Sequence, residues 1–66
     1  REIPWDAEAQ RILDELVEAV PVLVRISTAK RLRDAAEQAA RADGESEVQA
    51  RHVSLAQDAM RSGGAA

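Results

Sequence analysis

Four cations, Arg25, Lys30, Arg31 and Arg33, fall between Pro21 and Arg33 with no acid among them. Guanidinium and ammonium groups so close together suit carboxylates or phosphates. On a helix, Arg25 and Arg33 share roughly one side. The plainest reading is a basic strip neutralised by acidic faces of neighbouring helices. The functional reading is a docking strip for an acidic protein surface or for substrate carboxylates, with Arg25, Lys30 and Arg33 as the candidate residues. Nucleic acid is disfavoured, because the chain has a pI of about 5.0 and a single aromatic for stacking.

The remaining chemistry is sparse. Asp14 and Glu18 lie four apart, with Glu15 between them. Two carboxylates can share a proton when buried together, but these belong to a polar face and read as solvated. Glu8 with Arg11, and Asp34 and Glu37 with Arg41, read as surface ion pairs. His52 is the one histidine. It has no second ligand at metal-site spacing and reads as an exposed group near a helix start. Trp5 is the one aromatic. Its plain role is to fold over the first helix and close the end of the core. Its functional role would be a flat apolar surface for a partner or a ring-shaped ligand. No glycine-rich phosphate loop is present, and no serine has a base at an arguable spacing. We therefore expect no catalytic residue and no metal site.

These residues need a frame, and the sequence predicts an all-α one. Asp6 is placed to cap a first helix with its carboxylate. Ala9, Ile12, Leu13, Leu16, Val17 and Val20 form its apolar stripe. Pro21 disfavours helical backbone at Val20, so this helix ends near Ala19. Pro21 then suits the first position of a long second helix, which runs to about Ala42–Asp43 and stops at Gly44. Its inward face is expected at Ile26, Ala29, Leu32, Ala36, Ala39 and Ala40. A loop follows, with a brief extended segment at Glu47–Val48. The third helix spans about Ala50–Arg61. Val48 and Val53 are spaced as a hydrophobic staple around Gln49, a poor cap. The expected product is a compact short–long–short three-helix module over 1–61, with a flexible tail at 62–66.

Size and composition set the limits. A chain of 66 residues makes one domain at most. Its sixteen large apolar side chains allow only a marginal core. Cysteine is absent, so the chain can form no disulfide and offer no thiolate to an iron–sulfur cluster; this fits a reducing, cytoplasmic setting. The longest apolar run, "AVPVLV", has six residues, against about 20 for a membrane helix. With the apolar residues assigned to the core and no aromatic belt, membrane binding is disfavoured as well. Charge is segregated. Residues 1–20 hold two basic against six acidic residues, a net of −4; residues 21–33 carry +4; residues 34–66 carry −3. The chain opens at Arg1 without an initiator methionine, which suggests a domain taken from a longer chain.

The motifs "IPWDAEAQRIL", "VPVLVR", "AKRLRDAAEQAAR" and a closing glycine–valine–histidine–valine pattern carry a resemblance. They resemble the small C-terminal domain of light-independent protochlorophyllide reductase B-like subunits. "PVLVRISTAKRLRDAAE" is closer to the Z-like subunit of chlorophyllide reductase. The matching positions are Trp5, Asp6, Ala9, Pro21, Val24, Arg25, Gly44, Val48, Val53 and Ala56, from Ile3 to about Met60. Gln49 and Arg51 depart from a threonine and a glutamate often found there, which implies a weaker start to the third helix.

The resemblance implies a nitrogenase-like parent enzyme. In it an ATP-driven iron–sulfur protein feeds electrons to a cluster-bearing heterotetramer that reduces a chlorophyll precursor. The small domain would be an accessory part. It would hold no cofactor, pack on other reductase subunits and help cover the tetrapyrrole pocket, with Arg25 orienting the long helix or meeting a carboxylate. Self-association is compatible with this. Two alternatives remain: a stand-alone interaction protein of a photosynthetic assembly, and a histone-like module that binds DNA as a dimer.

Overall fold

The computed structural model describes residues 3–63, with side chains described as far as Arg61. Three helices are present: α1 (Ala7–Glu18), α2 (Arg25–Ala42) and α3 (Ala50–Gly63), with a short 3-10 turn at Val22–Val24. The all-α short–long–short frame is as expected. Of the expected tail, Ser62 and Gly63 still belong to α3, and 64–66 lie outside the described residues.

α1 presents the predicted stripe. Ala9 and Leu13 are buried, and Ile12, Leu16 and Val17 pack against the core. Asp6 holds the N-cap position with extended backbone, but its side chain makes no capping hydrogen bond. Its backbone does the work instead. The Asp6 carbonyl accepts the Gln10 N–H, and the Asp6 N–H donates to the Val48 carbonyl, both at 2.9 Å. With Val48 N–H donating to the Pro4 carbonyl at 2.9 Å, Trp5 and Val48 form a parallel bridge. The extended segment expected near Val48 is therefore what ties the chain start to the start of α3.

Pro21 departs from expectation. Its ψ of 145° is extended, so it precedes the 3-10 turn and is not a first helical residue. The β-branched Val22 and Val24 resist α geometry, and the α-helix starts only at Arg25. The end of α2 matches the prediction. Gly44 has φ +76°, a conformation that suits glycine. Around it, Gly44 N–H donates to the Arg41 carbonyl and Glu45 N–H to the Ala40 carbonyl, both at 3.0 Å. This double bond pattern satisfies the helix's last free carbonyls.

The core comprises Ala9, Leu13, Leu32, Ala36, Ala40, Val48, Val53 and Ala56. Four of these eight are alanines, so the helices meet closely around little apolar volume. Ile26, expected inside, is 87% exposed. It lies about 120° round the helix from Leu32, outside the face that carries Ala29, Leu32, Ala36 and Ala40.

Candidate functional site

The candidate site is the first half of α2 and the turn that leads into it. Arg25 fixes their geometry. Its Nε donates to the Val20 carbonyl and its Nη2 to the Glu18 carbonyl, each at 3.0 Å. One guanidinium thus closes the carbonyl end of α1, where a cation is also favoured by the helix dipole. These two bonds tie the first residue of α2 to the last turn of α1 and the residue before Pro21.

Lys30 and Arg33 line a shallow open groove with Ile26, Ala29, Asp34 and Glu37. Lys30 pairs with Asp34 at 3.2 Å on the exposed surface. Such pairs contribute little. Arg33 is exposed and has no ion-pair partner among the described residues, and the same holds for Arg31. On its other side Arg33 shares a second groove with Arg25, Asp14 and Glu18. The acidic face of α1 therefore lies near the basic strip, but no ion pair joins them among the described residues.

Trp5 is half-buried and packs against the core. Its Nε1–H donates to Glu37 Oε2 at 3.1 Å. Glu37 is buried at 9% exposure, not on the surface as expected from its spacing. A buried carboxylate needs a donor, and the indole supplies it. The ring therefore has a structural contact, to a residue that also lines the Lys30–Arg33 groove.

His52 overturns its expectation most clearly. It is fully buried. Nδ1 accepts the Gln49 N–H at 2.9 Å, and Nε2 lies 3.2 Å from Asp43 Oδ2. The first contact leaves Nδ1 unprotonated, so Nε2 carries the proton and donates to the carboxylate. His52 thus does for α3 what glutamate does in a capping box: it reaches back to the N-cap amide. The weak start predicted from Gln49 and Arg51 does not arise. Arg51 pairs with Asp43 and, at 2.9 Å, with Glu45. The His52 hydrogen bond, followed by Arg51, holds the Asp43 carboxyl below its ordinary value of 3.8. The available sequence signal was positional, since His52 stands three residues after the cap.

The sequence matches the proto-chlorophyllide reductase 57 kD subunit family over residues 5–57. The chain belongs to that family. The match runs from Trp5 through the whole α1–α2 frame and most of α3, so it includes every candidate residue named above. No solved structure matches the chain. Family membership makes it part of a protochlorophyllide reductase-like oxidoreductase of chlorophyll synthesis. The residues of this chain do not fit an iron–sulfur cluster. Cysteine is absent, and no group of three His, Asp or Glu converges among the described residues. No described helix is long and apolar enough to cross a membrane.

Proposed function

We propose that this chain is a non-catalytic accessory domain of a nitrogenase-like reductase of chlorophyll or bacteriochlorophyll synthesis. It docks on the other reductase subunits in the cytoplasm and closes over the tetrapyrrole pocket. Family membership over residues 5–57 carries this reading. The groove of Ile26, Ala29, Lys30, Arg33, Asp34 and Glu37 supports the covering role: Lys30 answers Asp34 and Trp5 answers Glu37, which leaves apolar Ile26 and Ala29 beside a guanidinium with no ion-pair partner among the described residues. A chlorophyll precursor has matching chemistry: a flat apolar ring with a carboxylate side arm. Arg33 would take the carboxylate as a charge-assisted hydrogen bond, Lys30 would add field, and Trp5 would border the ring edge. Arg25, committed to α1, would act through the geometry of the turn.

The test is a titration of the chain, alone and with the reductase subunits, with protochlorophyllide or chlorophyllide, read by quenching of Trp5 fluorescence. Arg33→Ala should weaken pigment binding by about tenfold, the size of one lost charge-assisted bond, with the far-ultraviolet circular dichroism unchanged. Equal pigment affinity of wild type and Arg33→Ala would remove the covering role from this groove.

A further inference from the structure

The turn between α1 and α2 leaves large apolar side chains in water. Val22 is 72% exposed, Leu23 96% and Ile26 87%. Together they make an apolar patch of a few hundred Å², the scale at which a patch on a small protein marks an interaction site. The sequence assigns these apolar residues to the core, an assignment that also disfavours membrane binding. At this end of the molecule that assignment fails, so the occupant has to be read from the surrounding charge.

The rim is two-signed. Glu15 and Lys30 pair within the copy with Arg11 and Asp34, which leaves exposed Asp14 and Glu18 on the last turns of α1 and exposed Arg31 and Arg33 on the first turns of α2. An anionic bilayer or a nucleic acid would attract the α2 side and repel the α1 side. An apolar centre with an acidic half-rim and a basic half-rim is complementary to itself. A two-fold axis running between the helices lays α1 of one copy against α2 of the other, acids facing bases. Closed two-fold pairing uses one surface patch twice.

We infer that the Val22–Leu23–Ile26 face is the contact between two copies of this chain, with Arg31 and Arg33 of each facing Asp14 and Glu18 of the other. Pairing doubles the apolar area removed from water and, with the rim, approaches the lower range of specific interfaces. It also relieves a fold whose core is half alanine. Arg25 holds the turn that presents the patch, through its bonds to Val20 and Glu18.

Sedimentation equilibrium of the chain across micromolar to millimolar concentration tests this. Wild type should pass from one copy to two. Leu23→Glu should weaken pairing roughly tenfold or more with an unchanged circular dichroism spectrum, since Leu23 contributes little to the core. Glu18→Arg should weaken pairing, and combining it with Arg33→Glu should restore it. A wild type that stays monomeric throughout, or a dimer indifferent to Leu23→Glu, would overturn the inference. Pairing would cover Ile26 and Arg33, which also line the Lys30–Arg33 groove, whereas Leu23 does not line it; a Leu23→Glu chain that no longer pairs yet binds pigment as well as wild type or better separates this result from the covering role.

Discussion

His52 Nε2 lies 3.2 Å from the Asp43 carboxylate, joining the end of α2 to the start of α3 across a loop of seven residues. The same ring accepts the Gln49 N–H at 2.9 Å. One fully buried side chain thus sets the angle at which α3 returns onto α2.

His52→Ala should destabilise the fold by about 3 kcal/mol, since it opens a cavity and strips an acceptor from the N-cap amide. His52→Gln should recover part of this, because glutamine can make the same reach from the third helical position. Urea unfolding followed by circular dichroism measures both. Equal losses for the two variants would mean that the contact is not a cap.

The same pair gives a pH dependence with a definite sign. The folded Asp43 carboxyl is held below 3.8 by the His52 and Arg51 hydrogen bonds. Its contribution is fully present above that value and is lost as pH falls through the folded value. The melting temperature advantage of wild type over Asp43→Asn should therefore shrink on acidification below about pH 4. An advantage that stays constant down to acid unfolding would contradict this origin.

Trp5→Phe keeps the ring but removes the donor to Glu37 Oε2, leaving a buried carboxylate short of a hydrogen bond. A loss of about 1–2 kcal/mol is expected in chemical denaturation. Trp5→Phe combined with Glu37→Gln should lose less than the two single changes added. Simple additivity would show that the bond carries no coupling.

Gly44→Ala meets no steric obstacle, because nothing lies within 4 Å of the added Cβ. The positive φ alone should cost about 1–2 kcal/mol. A neutral outcome by thermal melting would mean that the α2 terminus relaxes out of the left-handed conformation.

Arg25→Ala should lower stability by about 1 kcal/mol through loss of the bonds to Val20 and Glu18, with helical content retained. Arg25→Lys should not restore it, since one ammonium cannot reproduce the guanidinium's two directed bonds. Full recovery by lysine would reduce the role to charge at the end of α1.

Much of the fold was legible because its signals are local. Pro21 stops α1, Gly44 stops α2, and the spacing of Ala9, Leu13 and Leu16 marks a single face. What was hidden depends on distant partners. His52 reads as a surface residue until α3 folds back and brings Asp43 beside it. Glu37 reads as one more exposed acid until the chain start delivers the Trp5 indole. Ile26 reads as part of the apolar stripe by residue type, but it stands about 120° from Leu32 round α2, and the packing phase set by Leu32, Ala36 and Ala40 leaves it outside. Arg25, Lys30 and Arg33 were visible as a basic strip, but the capping duty of Arg25 required knowing where α1 ends.

The most direct measurement is a binding titration of the chain against the purified catalytic subunits of a nitrogenase-like protochlorophyllide or chlorophyllide reductase, by calorimetry. Saturable, stoichiometric association is expected, with no reduction of pigment by the chain alone. Absence of binding to either enzyme, with the chain folded, would contradict the accessory-domain reading.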